Sequence, residues 1–341
     1  MVLRELTALN GLSGNEAEVR EYIIKKAKAL ADEVRVDRIG NVIATKKGMD
    51  SSLGRAMVCA HMDEVGLMAM GVDEEGFIHY DTVGGVEPSV VISKRVRFVR
   101  SGISGVIGAK AIHLQTDDEL ASPLKHDKLF IDIGAKDKKQ AEESVNAGDY
   151  IAFESDWVEF GDNLVKVKAL DDRVGCYNML RLMENKYPMD VAFAFTVQEE
   201  VGLRGAKVAA YQVAPRFCLV LEGTTANDLG DVPEHLRVTR VGQGVAISFM
   251  DRTSIAHPAL ARALRDTAKA NNIPWQFKTF VSGGNDAGEV QYARGAIPVC
   301  PLSVPCRYIH SPSSVCSFKD IEAQYELVNA FLKSGAAFEE A

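Results

Sequence analysis

The stretch "VAFAFTVQEEVGLRGA", residues 191–206, joins a continuous apolar run to two adjacent carboxylates. The mostly apolar, β-prone residues 191–197 indicate a strand buried on both faces, as in a sheet covered by helices. Glu199 and Glu200 follow at the end of that strand. Neighbouring carboxylates beside apolar residues raise at least one pKa unless a cation lies between them or they face different partners. The pair therefore indicates a cation site or, more simply, the acidic first turn of the next helix.

Other segments predict the fold around this stretch. Apolar runs near residues 34, 41, 56 and 217 predict further buried strands, and helical spacing predicts helices over 172–185, 257–271 and 319–334. Asn15 is predicted to cap a first helix. Residues 67–160 differ, because Gly-punctuated alternating segments such as "GFIHYDTVGG" are typical of hairpins and barrels. The sequence predicts an α/β fold, a mixed sheet sandwiched by helices, over 1–66 and 161–341, with a β-rich domain inserted over 67–160.

Composition narrows the classes of function. The chain has 39 basic and 47 acidic residues, a net charge of −8, and no Lys/Arg run, so we expect no nucleic-acid partner. No apolar stretch approaches the roughly 18 residues of a membrane span, so we expect no membrane partner. Six scattered cysteines without a Cys-x-x-Cys pair predict buried free thiols in a reducing compartment. We therefore expect a cytoplasmic protein.

Polar side chains with the chemistry of metal ligands follow several predicted buried strands. "MVCAH" ends at His61, "FTVQEE" at Glu199 and Glu200, and "CLVLE" at Glu222. Open α/β sheets bind ligands at the carboxyl ends of their strands. Histidine and carboxylates are the ligand types preferred by zinc and related divalent ions. Each residue alone has a simpler structural interpretation, but together they favour a metal site.

Two further segments add to this set. "KALDDRVG" places Asp171 and Asp172 at a helix start, and "YIHSPSS" places His310 in a loop. Two ions about 3.5–4 Å apart need a bridging carboxylate, which Asp171 could supply. Asp172 would then face elsewhere, and we expect an ion pair with Arg173. The sequence thus favours a two-metal site.

Asp63 lies two residues beyond His61 in "HMDEVG". It could hold the second imidazole nitrogen and fix the tautomer of that histidine. A turn residue is the simpler interpretation. Within "VSGGNDAGEV", residues 281–290, Asp286 could contact substrate or belong to a structural turn. Arg252 could line the pocket for the first side chain of a substrate, and His113 is interpreted as structural.

Six motifs, in their order along the chain, resemble those of one protein family. "HMDEVG", "ALDDRVG", "QEEVGLRGA", "LEGTTAND", "SGGNDAG" and "YIHSP" closely resemble the tetrahedral aminopeptidases, the metallopeptidase family of glutamyl and deblocking aminopeptidases, over essentially the whole chain. The resemblance implies a metallopeptidase-type domain interrupted by a β-barrel-like dimerisation domain. It also implies a homododecamer, a hollow tetrahedron built from dimers, with active sites facing inward.

The resemblance also implies roles for the candidate residues. One metal would be held by His61, Asp171 and Glu222, and the other by Asp171, Glu200 and His310. Glu199 would be the general base, and Asp63 would orient His61. Many members carry aspartate where this chain has Glu222, so this ligand is one methylene longer and its denticity is open. The ions would be Zn²⁺, with Co²⁺ or Mn²⁺ as alternatives.

The expected activity is removal of N-terminal residues from peptides that have a free amino terminus, by water activated at two metals. A carboxypeptidase or amide deacylase on the same metal pair is the neighbouring alternative. A metal-independent glycoside hydrolase is a third alternative. Its two catalytic carboxylates would lie on either side of the scissile bond, about 5–9.5 Å apart, and adjacent residues at one strand end are poorly placed for this. A non-enzymatic scaffold whose metals only stabilise the fold is a further alternative. Structural zinc sites are usually closed and cysteine-rich, whereas this set is rich in carboxylates.

Overall fold

The computed structural model describes residues 1–230 and 232–338. Apolar runs on both sides of the insertion form strands, and the alternating segments form strands within it. The strands are β1 Glu33–Val36, β2 Val42–Lys46, β3 Arg55–His61, β4 Gly66–Val72, β5 Ile78–Val83, β6 Arg95–Phe98, β7 Ser104–Ala109, β8 Leu129–Asp132, β9 Tyr150–Phe153, β10 Val158–Phe160, β11 Leu164–Val167, β12 Asp190–Thr196, β13 Phe217–Thr225, β14 Val245–Ser248, β15 Trp275–Lys278, β16 Val299–Cys306 and β17 Ser314–Ser317.

The three helices predicted from apolar spacing end within three residues of their predicted limits. They are α1 Val2–Ala8, α2 Ala17–Ala27, α3 Pro88–Val91, α4 Asp117–Ala121, α5 Lys138–Glu142, α6 Leu170–Leu182, α7 Arg204–Val213, α8 Pro258–Ala270, α9 Ala287–Val290 and α10 Phe318–Lys333. The predicted cap at Asn15 is wrong. Residue Glu16 precedes α2, and its side chain does not cap the helix but accepts from the backbone N–H groups of Gly14 and Gln198.

An eight-stranded mixed sheet has the order β1-β2-β12-β3-β13-β16-β14-β15. Its four central strands, β12, β3, β13 and β16, are mutually parallel. Their carboxyl ends therefore lie at one edge of the sheet. This edge is where an open α/β sheet binds its ligand.

The central strands are buried on both faces, as their consecutive apolar residues predict. Alternate residues of β12 face opposite layers: Phe193 belongs to a core cluster that includes residues of α2, α6, α8 and α10, and Ala194 belongs to a second cluster with residues of α7 and α9. Large side chains fill the first layer, while alanines let α7 approach the second. The predicted sheet sandwiched by helices is confirmed.

The segment after β3 leaves the sheet and forms a closed antiparallel barrel. Its strand order is β4-β5-β8-β7-β6-β9, around a core of its own that includes Leu67, Ile78, Phe98 and Ile131. The predicted β-barrel-like insertion is confirmed, and the domain boundaries at 66/67 and 160/161 stay predictions. All six cysteines are buried and free, as predicted. Within the described ranges, no helix has the length and apolarity that crossing a membrane requires.

Candidate metal centre

The edge formed by the parallel strands gathers the predicted site residues. His61 is the last residue of β3, Glu199 and Glu200 follow β12, and Glu222 lies in β13. His310 comes from the connection between β16 and β17, which reaches over the same edge. At the start of α6, Asp171 lies beside β13, where its Oδ1 accepts the backbone N–H of Gly223 at 3.1 Å. The fold thus brings together residues that are far apart in sequence.

Asp171 lies between the two histidines. Its Oδ1 is 3.3 Å from Nε2 of His61, and its Oδ2 is 3.6 Å from Nε2 of His310. A second carboxylate accompanies each imidazole: Glu222 Oε2 is 3.5 Å from His61 Nε2, and Glu200 Oε2 is 3.4 Å from His310 Nε2. Two three-residue sets therefore share one carboxylate, which offers one oxygen to each set.

Both imidazoles are oriented by backbone carbonyls. Nδ1 of His61 donates to the carbonyl of Asp63 at 3.0 Å, and Nδ1 of His310 donates to the carbonyl of Gly85 at 2.9 Å. A carbonyl oxygen only accepts, so Nδ1 carries the proton in each ring. The neutral ring then presents the lone pair of Nε2 to the cluster, which is the form that binds metal.

The carboxylate of Asp63 holds the glutamate pair. It accepts from Ser13 Oγ at 2.5 Å and from the backbone N–H groups of Glu199 at 3.1 Å and Glu200 at 3.2 Å. Its Oδ1 is 3.5 Å from Nδ1 of His61, farther than the carbonyl of the same residue. The orienting contact to His61 thus comes first from the backbone, and the side chain fixes the end of β12.

The electrostatics show an excess of buried negative charge. Burial raises the pKa of Glu222 to about 8 and that of Glu200 to about 7, and it raises the pKa of Glu199 well above its usual range. Burial opposes protonation of His310, but Glu200 and Asp171 outweigh it and raise its pKa to about 9. The carboxylates therefore favour positive charge at this position, as either protons or a cation.

The predicted ion pair between Asp172 and Arg173 is wrong. Asp172 accepts from the backbone N–H groups of His61 at 3.2 Å and Gly175 at 2.9 Å. Arg173 points the other way, to the carbonyls of Leu6 and Met62 and to the Glu64 carboxylate at 3.3 Å. Adjacent residues at a helix start face different directions, so they do not pair.

A cavity of about 510 Å³ opens beside the cluster. Asp171, Glu199, Glu200, Glu222 and His310 line one end of it. The remaining wall consists mainly of small or polar residues: Thr224, Thr225, Thr253, Lys278, Ser282, Gly283, Gly284, Asn285 and Ser303. Its volume lies within the range of about 300–1,000 Å³ typical of small-molecule sites.

The sequence predicted some of the residues that line this cavity but not others. Gly283 and Gly284 of the 281–290 segment line the cavity, but Asp286 is fully buried and accepts from Thr196 Oγ1 at 2.5 Å. Arg252 is exposed and does not line the cavity, whereas its neighbour Thr253 does. His113 is exposed in the inserted barrel segment. Lys278 was missed, because nothing in "WQFK" indicates that its ammonium group is buried.

The donor set fits divalent cations. Within each of the sets His61/Asp171/Glu222 and Asp171/Glu200/His310, one candidate ligand atom per residue lies within 4.8 Å of the others. Oε1 of Glu222 is buried without a hydrogen-bond partner in the described structure. Buried polar atoms are almost always satisfied, so this oxygen indicates a missing positive partner. Glu199 lies close enough to His61 and Glu200 to form a third such set.

Comparison with known proteins agrees with this geometry. The family model for M42 glutamyl aminopeptidase matches residues 40–327. The chain belongs to the M42 glutamyl aminopeptidase family. It is therefore a peptide hydrolase, a metal-dependent aminopeptidase, as predicted.

Relatives of this M42 aminopeptidase extend over its whole length. It is 40% identical to a protein of Acetivibrio thermocellus over 330 residues, 96% of each chain. An aminopeptidase from the archaeon Desulfurococcus kamchatkensis has a TM-score of 0.92 at 34% identity, covering 97% of this chain and 93% of the other. The TET1 peptidase of Pyrococcus horikoshii has a TM-score of 0.84 at 32% identity, covering 97% and 98%, and can assemble into a tetrahedron or a large octahedral shell.

Proposed function

We propose that the enzyme holds two divalent ions that share Asp171. His61 and Glu222 complete one site, and Glu200 and His310 complete the other. The observation that carries this assignment is the position of Asp171, whose two oxygens face different histidines. The unpartnered, buried Oε1 of Glu222 supports it, because a bound cation would satisfy this oxygen.

Bound divalent ions would polarise the scissile carbonyl and lower the pKa of a water molecule. The residues of the chain supply the remaining chemistry. Glu199 lies at the cavity wall, and its pKa, raised by burial, makes it able to take a proton from water and return it to the leaving amine. The carboxylate of Asp63 accepts a hydrogen bond from the backbone N–H of Glu199 and so holds this residue in place.

We further propose zinc as the ion, with cobalt or manganese as substitutes, because mixed imidazole and carboxylate sets accept all three. The buried free cysteines support a cytoplasmic location, where thiols remain reduced. Assembly into a tetrahedral homododecamer through the barrel domain is also proposed, and it is supported by the tetrahedron that the Pyrococcus horikoshii protein can form.

Hydrolysis of a free-amine peptide and its N-acetylated form tests the reaction. We expect cleavage of the free-amine form alone, loss of activity after chelation, and recovery when Zn²⁺, Co²⁺ or Mn²⁺ is restored separately. Equal cleavage of the acetylated form would instead support a deacylase or carboxypeptidase. Polysaccharide hydrolysis that resists chelation would support a glycoside hydrolase.

Gly223 provides a test of the Asp171 position. A Cβ at this residue would lie 3.0 Å from both Cβ and Oδ1 of Asp171, so Gly223→Ala should displace the carboxylate. We expect metal affinity to fall about 10- to 100-fold, as for other changes that disturb ligand orientation. Calorimetric titration of the metal-stripped protein measures this. Gly295→Ala is the matched control, since its Cβ would meet no atom within 4 Å. Equal affinities of the two variants would contradict the assignment.

A further inference from the structure

The loop of residues 84–86, which follows β5, connects the barrel to the metal cluster. At Gly84 the backbone φ is 84°, and a Cβ there would lie 3.2 Å from Cβ of Glu200. The carbonyl of Gly85 accepts from Nδ1 of His310 at 2.9 Å. The loop therefore lies against the proposed metal site that Glu200 and His310 share with the bridging aspartate, here called the His310 site.

Hydrogen bonds from two histidines hold the backbone of this loop. In the described part of the chain, residues 84–86 make no hydrogen bond to another backbone group. Their carbonyl groups accept from imidazoles instead: that of Gly85 from His310, and that of Val86 from Nε2 of His126 at 2.8 Å. The contact with His126 is thus the hydrogen bond that fixes the loop from the side of the barrel.

The orientation of His126 is itself fixed within the barrel. The Tyr80 hydroxyl lies 3.2 Å from its Nδ1, and the two rings meet edge to face with centroids 5.7 Å apart. Tyr80 belongs to the barrel core, and burial raises its pKa to about 12, so its hydroxyl keeps a proton to donate. The carbonyl of Val86 only accepts, so Nε2 of His126 carries a proton and Nδ1 of the neutral ring can accept from Tyr80.

We propose that His126 is a positioning residue of the metal centre, which acts through the 84–86 loop to orient the imidazole of His310. This inference rests on the proposed pair of metal ions, because His310 must be a ligand for its orientation to affect metal binding. Peptide units are planar, so only the two dihedral angles of Val86 separate the carbonyl held by His126 from the carbonyl that orients His310. Loss of the first hydrogen bond therefore frees the second carbonyl to move.

Calorimetric titration of the metal-stripped protein with Zn²⁺ tests this role. His126→Phe keeps an aromatic ring but lacks the donor, and the affinity of the His310 site should fall about 10-fold, the lower end of the range for groups that orient ligands. His126→Gln should restore the affinity, because its amide nitrogen takes the position of Nε2 and can donate to Val86. In His126→Asn the amide is too short to reach, so this variant should behave like His126→Phe.

His113→Phe is the matched control, since it makes the same change at an exposed position of the barrel segment, and it should bind metal like wild type. A double-mutant cycle then shows whether the effect passes through His310. His310→Ala removes the ligand, so adding His126→Phe to it should cause no further loss of affinity. A further loss of the same size would overturn the proposal, because the effect would then be a general disturbance of the fold. Failure of His126→Gln to recover the affinity would overturn it as well.

Wild type tests the metal pair separately from the role of His126. Binding of fewer than two ions by wild type would overturn the two-metal proposal, and this inference with it. Two ions in wild type and an unchanged affinity in His126→Phe would overturn the role of His126 alone. Far-ultraviolet circular dichroism establishes whether each variant is folded, and His126→Asn provides the same comparison if His126→Phe does not fold.

Discussion

Replacing Glu199 by glutamine is expected to reduce kcat by about 10²- to 10⁴-fold, the contribution typical of a general base. Glutamine has the shape of glutamate but cannot take a proton. Asp63 contacts the backbone N–H of residue 199, so the strand end should keep its position. The proposed ligand atoms belong to other side chains, and the variant should therefore retain both metals and its assembly. Steady-state kinetics and elemental analysis measure the two effects on one preparation.

The control for this variant is Glu184→Gln at an exposed position of the chain. It makes the same chemical change away from the cavity and should leave kcat unaltered. Glu199 also lies within ligand distance of His61 and Glu200, so an exchange of roles is the main competing assignment. Loss of metal together with activity in Glu199→Gln would show that Glu199 is a ligand. Full activity would exclude it as the base.

Replacing Asp171 by asparagine is expected to remove most of the bound metal and to lower kcat/KM by more than about 100-fold. Changes to residues that only support metal ligands already cost about 10- to 100-fold, and a shared ligand affects both ions. Asparagine keeps the size of the side chain but offers one amide group in place of one carboxylate oxygen. We expect metal content to fall from the proposed two ions per subunit to none or to one weakly bound ion, measured by elemental analysis after dialysis.

Asp127→Asn, at an exposed barrel position, is the matched control and should bind metal like wild type. Far-ultraviolet circular dichroism establishes whether the Asp171→Asn variant is folded. A folded Asp171→Asn variant with two tightly bound ions would contradict the bridging assignment. Loss of one ion with the other retained at wild-type affinity would instead assign Asp171 to a single metal.

The sequence predicted which side chains cluster at the edge of the sheet because the determinants of that cluster are local and repeated. Consecutive apolar residues at 191–197 identify a strand buried on both faces, and parallel strands of this kind end at one edge. The side chains that follow these strands therefore meet, even when 110 residues separate His61 from Asp171. The imidazole and carboxylate groups of these side chains then limit which metal ions the cluster can bind.

Other features depend on contacts that no local pattern contains. Lys278 ends a short strand and is buried, and its Nζ donates to the carbonyl of Ser282 in the following loop. Arg173 pairs with Glu64 rather than its neighbour because of the direction in which α6 begins. Gln198 and His310 adopt left-handed backbone conformations, with φ of 56° and 57°. Such conformations cost about 1–3 kcal/mol in non-glycine residues and persist only where the surrounding fold enforces them.

The carbonyl that orients His310 belongs to Gly85, in the loop that leaves β5 of the barrel. The barrel therefore helps to orient a proposed metal ligand. A shortened chain without residues 67–160 would keep every proposed metal-binding side chain, yet the imidazole of His310 would be free to rotate. Movement of the barrel relative to the main sheet would weaken the same hydrogen bond, so the orientation of His310 depends on how firmly the barrel is held against the sheet.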